Sequence, residues 1–201
     1  MEYTGERVIP KLMNSNNGML IEHINRYKFA KKYGKGRVLD IACGVGYGSK
    51  VLLDDNENIS SLIGIDICKD SIEYAKANYS YPNTSYYIDN ALHLDLQQKY
   101  GTFDTITSFE TIEHFREDQQ FINNLYNLLN EDGTLIISTP FGKGKSVPCS
   151  SPFHVYQYKE EEFLEVLQPF SSITMYHQDN YSIEIPKPNK KYYLMVAVCK
   201  K

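Results

Sequence analysis

The sequence predicts an α/β protein built on a doubly wound, mostly parallel sheet with one late antiparallel strand. Three observations carry that prediction. From Arg37 onward, short apolar runs alternate with helical patterns, which is the sequence form of repeated strand–helix units. Leu135-Ile136-Ile137 is apolar without alternation, as a strand covered on both faces must be. The last two apolar runs, Ile173 to Tyr176 and Tyr192 to Val198, have no helical pattern between them, so they are expected to pair as antiparallel neighbours.

Each element has its own signal. Asn17 to Tyr33 reads as an amphipathic helix after an irregular tail, Met1 to Asn16. Arg37 to Ala42 is the first strand, and Tyr47 to Asp54 begins the next helix. Leu62 to Ile67 is the second strand, followed by a helix in which Ile72, Ala75 and Tyr79 recur at helical spacing. Ser85 to Ile88 is a short third strand, and Phe103 to Phe109, β-branched and aromatic, a fourth. From Phe115 to Asn130 the residues Phe121, Leu125, Leu128 and Leu129 share one helical face, and the Glu131-Asp132-Gly133 turn is expected to end that helix. Thr134 to Thr139 is the fifth strand. Phe141 to Tyr158, rich in Gly, Ser and Pro, is long enough to serve as a lid or substrate loop. Glu160 to Leu167 is a helix stopped by Pro169. The 201 residues make one domain, residues 1–36 as tail and helix and 37–201 as the sheet core.

The loop after the first strand, Asp40-Ile-Ala-Cys-Gly44-Val-Gly46-Tyr-Gly48, places glycines between a strand and a helix. There the missing Cβ permits a tight turn and lets a ligand approach main-chain N–H groups. The same spacing serves nicotinamide and flavin enzymes, so the companions must discriminate. Asp66 closes the second strand, where a carboxylate can accept from both ribose hydroxyls of an adenosine; otherwise it caps the following helix. Asp40 is expected to direct a carboxylate into the glycine loop. A buried carboxylate repels a pyrophosphate and attracts the ammonium and sulfonium groups of S-adenosylmethionine.

These segments, Val38-Leu-Asp-Ile-Ala-Cys-Gly-Val-Gly-Tyr-Gly48 and Gly64-Ile-Asp66, resemble the motifs of class I S-adenosylmethionine-dependent methyltransferases, with matching pattern from about Val38 to Phe141. The resemblance implies a Rossmann-like, seven-stranded sheet. It also implies Asp40, Gly44 and Gly46 around the methionine part of the cofactor, Asp66 with Ile67 at the ribose, and Asp89-Asn90-Ala91 at adenine. That last segment departs from the usual Gly-Asp-Ala, yet the Asn90 amide oxygen can still accept from the adenine amino group.

A second constellation, Phe109-Glu110-Thr-Ile-Glu113-His114-Phe115, ends the fourth strand. If a helical turn begins there, Glu110, Glu113 and His114 share a face. Such a group can bind a divalent metal or supply a general base with its orienting partner, while the plainer reading makes Glu113 a helix-terminus charge and His114 a spacer. The segment resembles the Glu-x-x-Glu-His element of ubiquinone-pathway O-methyltransferases and of small-RNA terminal-ribose methyltransferases. The latter resemblance extends to Pro152-Phe-His154-Val-Tyr-Gln-Tyr158, and implies Glu110, Glu113, His114 and His154 as ligands of Mg²⁺ or Mn²⁺. Without a metal, His114 or His154 would act as base or bind substrate, with Glu113 beside them and Glu110 at the cofactor.

Thr4-Gly-Glu-Arg7 and Glu22-His23-x-x-Arg26-Tyr27 look like elements of bacterial members of the superfamily in which the early segment covers the cofactor. Arg7 or Arg26 could pair with the cofactor carboxylate, although a helix-borne Arg26 is otherwise expected as a surface charge. Tyr3 and Tyr27 are read as lid aromatics.

Composition narrows the function classes. A net charge of −4 argues against a nonspecific polyanion binder, so duplex nucleic acid is not expected as a partner, with Lys143 to Lys145 the one local basic patch noted. No run approaches the ~20 apolar residues of a membrane helix, and the first residues carry no secretory signal, so a cytoplasmic monomer or homodimer is expected. Cys43, Cys68, Cys149 and Cys199 form no C-x-x-C pair and read as reduced thiols. The expected activity is methyl transfer from S-adenosylmethionine to a small-molecule hydroxyl. The alternatives are an amine or an RNA terminal ribose as acceptor, a nicotinamide-dependent oxidoreductase, and a cofactor-binding module without catalysis.

Overall fold

A computed structural model describes residues 7–149 and 151–201; Tyr3 and Thr4 to Glu6 lie outside them. The chain runs α1 (Gly18–Lys31), β1 (Gly36–Ile41), α2 (Tyr47–Leu53), β2 (Ile59–Asp66), α3 (Lys69–Asn78), β3 (Thr84–Ile88), α4 (Leu96–Tyr100) and β4 (Phe103–Phe109). There follow α5 (Asp118–Leu128), β5 (Leu129–Pro140), α6 (Glu160–Val166), β6 (Ser172–Gln178), β7 (Ile183–Glu184) and β8 (Leu194–Lys200). The Asn17 side chain accepts from Leu20 N and so starts α1.

The strands form one eight-stranded sheet in the order β3-β2-β1-β4-β5-β8-β6-β7. β1 pairs in parallel with both β2 and β4, so the strand order reverses there. In an open α/β sheet the ligand crevice lies outside the carboxyl ends of the strands at such a reversal. β8 enters antiparallel between β5 and β6. The expected pairing of the two late strands is therefore found, with the two-residue β7 added at the edge of the seven expected strands.

Alternation along the central strands divides the core into two layers. Leu39, Ile41, Leu135 and Ile137 pack with Phe121, Leu125 and Phe163 from α5 and α6. Val38 and Ile136 pack on the other face with Phe29, Leu52 and Ile72 from α1, α2 and α3. The unbroken apolar run of β5 thus feeds both layers, as a doubly covered strand requires.

Three boundaries differ from the sequence reading. The helix expected from Phe115 begins only at Asp118, because Ile112–His114 forms a single 3-10 turn and Phe115 is extended. Glu131 to Gly133 is not a turn between elements. It lies within β5, where Phe103 opposes Leu129 but Thr105 opposes Thr134, so the extra residues form an irregularity in the ladder. β2 starts earlier, at Ile59, and stops at Asp66, leaving Ile67 beyond the strand and 70% exposed. Among the described residues no helix is long and apolar enough to cross a membrane.

Candidate active site

Two cavities meet at the carboxyl ends of β1 and β4. The larger, about 580 Å³, is lined by the glycine loop, by Arg7 and α1, and by Glu110, His114 and His154. The smaller, about 70 Å³, is lined by Asp66, Ile67, Asp89, Asn90 and Ala91. Ala42 lines both, so the two adjoin at the end of β1. The chain leaves β1 through Ala42 at φ 58° and leaves β4 through Glu110 at φ 51°. Both are left-handed conformations that cost a residue bearing a Cβ, and such strain collects at functional sites.

The glycines of the loop have different tasks. Gly44 has φ 54° and its missing Cβ would point into open space, so this position leaves room for a ligand. Gly46 has φ 82°, and a Cβ there would lie 2.6 Å from Ala75 Cβ and 3.0 Å from the Tyr86 ring. It is therefore needed for close packing on α3 and β3. Asp66 ties the loop to the start of α3, one oxygen accepting from Gly44 N and the other from Cys68 N, each at 2.8 Å. Asp66 does not cap α3, whose N-cap is Cys68 without a side-chain bond, but it lines the smaller cavity.

Asp40 stands one layer behind the cavity, and does not direct its carboxylate into the loop. It is 1% exposed, with Tyr27 OH 3.1 and 3.0 Å from its two oxygens and Thr107 Oγ1 donating at 2.7 Å. Burial raises its pKa to about 7, against the lowering effect of these hydroxyl donors. Tyr27 is accordingly no lid: its buried ring packs edge-on against Tyr47 and Phe109 beneath the crevice.

Arg26 departs most from its expectation as a surface charge. It is 1% exposed and lines the larger cavity, with Nη1 donating to Gln178 Oε1 at 2.8 Å and Nε without a partner among the described residues. A buried guanidinium with a spare donor fits an incoming carboxylate. Arg7 lines the same cavity and reaches Cys68 Sγ at 3.3 Å.

At the smaller cavity, Asp89 is committed to the protein. Burial alone would raise its pKa, but donors from Tyr100, Lys99, Asn90 N and His93 bring it down to about 2. The Asn90 amide oxygen accepts from Leu92 N at 2.9 Å, closing its own loop and leaving one lone pair for a ligand. Ala91 is buried beside them, while Ile67 remains exposed as a flap at the mouth.

The acid–histidine constellation assembles in part. Glu113, His114 and His154 bring ligand atoms within 4.8 Å of one another, with the imidazole centroids 5.1 Å apart and nearly perpendicular. Glu110 stays outside this group, because its left-handed backbone breaks the expected helical turn and its carboxylate accepts from Ser138 Oγ at 2.8 Å. Glu113 is fully buried; Oε2 accepts from Thr139 Oγ1 at 3.0 Å, whereas Oε1 has no partner among the described residues. Burial, reinforced by Glu110, raises its pKa well above the usual carboxylate range. Its carbonyl accepts from Val155 N and Tyr156 N at 2.8 and 3.1 Å, which fastens the 141–158 loop and places His154 beside His114.

Sequence reasoning named Glu22 and His23 only as part of a motif, without a role, and passed over Tyr193 and Leu194 as cavity residues. The signal for His23 was present, since it precedes Arg26 by three positions and so shares its helical face. Nδ1 of His23 lies 3.0 Å from Tyr47 OH, and burial together with Arg26 keeps the ring neutral. Tyr193 and Leu194 reach the site only because β8 is inserted beside β5, which no local pattern announces.

Residues 32–188 match a family described as a methyltransferase domain. A probable S-adenosylmethionine-dependent methyltransferase of Mycolicibacterium smegmatis is 28% identical over 82% of this chain and 63% of its own. Juvenile hormone acid O-methyltransferase of Bombyx mori is 32% identical over 59% of this chain and 42% of its own. The chain therefore spans under two thirds of the length of these relatives. Among solved structures, the N-methyltransferase NodS of Bradyrhizobium japonicum with S-adenosyl-L-homocysteine aligns at TM-score 0.67 and 14% identity, covering 93% of this chain and 89% of that one. With the family match extending over most of the sequence, and the glycine loop, Asp66 and the strand reversal arranged around one crevice, the chain belongs to the class I S-adenosylmethionine-dependent methyltransferase superfamily of enzymes.

Proposed function

We propose that the chain methylates a hydroxyl group of a small molecule, with S-adenosylmethionine as donor and His114 as the base. The observation that carries the oxygen acceptor is the state of His114. Its Nδ1 lies 2.9 Å from the Phe153 carbonyl oxygen, which can only accept, so Nδ1 is the donor and, in the neutral ring, the lone pair falls on Nε2. The relatives support methyl transfer but divide between oxygen and nitrogen acceptors; the imidazole pair favours oxygen, because a hydroxyl must lose its proton as it attacks.

The residues fit the donor. Gly44 leaves room where a Cβ would stand, Asp66 and the 89–91 loop line the adenosine lobe, and Arg26 offers an unpartnered Nε in the other. When bound, the donor supplies an electrophilic methyl group on a sulfonium and is left as a neutral thioether. The cavity walls orient the acceptor oxygen, and His114 Nε2 takes its proton as the new C–O bond forms. Most of the acceleration comes from positioning, with reacting atoms held ~3 Å apart. His154 aids by fixing the acceptor beside His114.

A second reading is favoured by one observation, the orphaned buried oxygen of Glu113 beside two imidazoles. Glu113, His114 and His154 would then hold Mg²⁺ or Mn²⁺, and Glu110 would stay with the cofactor. Such an ion would lower the acceptor hydroxyl pKa.

The test is transfer of a labelled methyl group to a panel of phenols, sugars, carboxylic acids, amines and RNA 3′ ends. Methylated hydroxyls are expected, and His114→Gln should lower kcat by about 10²–10⁴-fold without changing cofactor affinity. Label appearing only on amines or RNA, full kcat in the variant, or binding of NAD in place of S-adenosylmethionine would overturn the reading. Cofactor binding without transfer to any acceptor would make the chain a binding module.

A further inference from the structure

A second cavity of about 450 Å³ lies behind the crevice, between α1, α2 and the Pro10–Leu12 turn. Its rim carries Lys11, Lys28, Lys31 and Lys50 against a single acid, Asp54. In a chain of net charge −4, this is a concentration of positive charge. Lys28, Lys31 and Lys50 form no ion pair among the described residues, so their charges face the groove and solvent uncompensated. Lys11 is already placed: Nζ donates to Asn78 Oδ1 at 2.8 Å and sits 5.7 Å from the centroid of the Tyr79 ring.

The rest of the lining has the opposite character: Tyr79 and Tyr47 are buried, and Ile24 and Val51 half-buried. An apolar lining beside a cationic rim selects a ligand with an apolar body and an anionic head. Four lysines against one aspartate leave an excess that a monoanion would only partly neutralise. A phosphate monoester, nearly doubly charged at neutral pH with three acceptor oxygens, matches the rim better.

We infer that this groove binds a small organic phosphate, its apolar part on Tyr79, Ile24 and Val51 and its phosphate among Lys28, Lys31 and Lys50. The groove is separate from the transfer site but shares a wall with it. Tyr47 lines both cavities, and its hydroxyl contacts His23 in the larger one. Occupancy can therefore be sensed at the cofactor crevice, whatever the methyl acceptor proves to be.

Calorimetric titration of the full chain with phenyl phosphate tests this, with phenol and inorganic phosphate as single-feature controls and Lys28→Gln/Lys50→Gln as the variant. Both lysines are exposed, so a thermal melt should show the variant folded. Phenyl phosphate is expected to bind saturably in the presence of excess S-adenosylmethionine, more tightly than either control, and at least about tenfold more weakly to the variant. Absence of saturable binding, equal affinity in the folded variant, or displacement by S-adenosylmethionine would overturn the inference. Binding only to phosphatidylcholine vesicles containing phosphatidic acid, and not to the soluble ester, would overturn it as well.

Discussion

The Tyr27 hydroxyl sits between the two oxygens of Asp40, 3.1 and 3.0 Å from them, with both side chains buried. The pair joins the helix that covers the crevice to the strand that supports its floor. It also makes an internal charge depend on pH near neutrality.

With a pKa of about 7, Asp40 is neutral below that value and anionic above it. A cationic cofactor favours the anion. Affinity for S-adenosylmethionine should therefore rise by up to about tenfold between pH 6 and pH 8, a range that takes the group from mostly protonated to mostly ionised. The free protein should respond in the opposite sense. Because the folded pKa lies above the unfolded one, stability is greatest below the ordinary carboxylate pKa and is lost as pH rises to about 7. Calorimetry and thermal melts across this range check both, and Asp40→Asn should flatten both; an affinity independent of pH would refute the coupling.

Burial and Glu110 both oppose the charge of Glu113 and shift it toward the neutral acid. Glu113→Gln, which resembles the neutral acid, should then change stability by no more than about 1 kcal/mol. Under the base reading, methyl transfer should also survive EDTA. Loss of activity with EDTA, restored by Mn²⁺ in the native chain and not in the variant, would move the trio of Glu113, His114 and His154 to the metal reading.

Gly46→Ala adds a Cβ 2.6 Å from Ala75 Cβ at a left-handed φ. The combined strain should cost about 1–3 kcal/mol, which for a domain of this size lowers Tm by roughly 2–10 °C. Gly44→Ala meets no atom within 4 Å, so beyond its backbone strain the damage should fall on cofactor affinity. Melting curves and calorimetry on the two variants separate them; equal effects on both readouts would contradict the division of labour.

The 141–158 loop is fastened at a second point. Lys145 pairs with Asp118, which also accepts from Tyr158 OH at 2.9 Å, and the Lys145 amine lies 4.7 Å from the Tyr156 ring centroid. Lys145→Ala should raise the KM for the acceptor several-fold, with a smaller effect on cofactor binding. Hydrogen exchange should quicken in residues 143–156 and remain unchanged in β5; unchanged exchange in the loop would show that the contact does not hold it.

How much of this was legible follows the range of the interactions. Phe103–Phe109 and the turn of the glycine loop are set by neighbouring residues, and their positions were readable. The burial of Arg26 was not, because it depends on Gln178, 152 positions away, and helical spacing cannot reveal what covers a face. Glu110, Glu113 and His114 were readable as a group but not in geometry. The left-handed backbone at Glu110 removes it from the other two, and a residue with a Cβ gives no notice that it will adopt that conformation. The loop carrying His154 was recognisable by length and composition, whereas its docking on the Glu113 carbonyl is a backbone contact with no sequence signature.

The insertion of β8 between β5 and β6 bears on how the protein is made. While residues 141 to 193 emerge from the ribosome, the outer edge of β5 has no neighbour to pair with, and β6 has no place in the sheet. The smaller cavity can form from residues synthesised early, but the wall of the larger one at Tyr193 and Leu194 arrives only with that strand. A nascent chain halted before it would hold half a site and an open, apolar sheet edge, the species a chaperone would be expected to meet first.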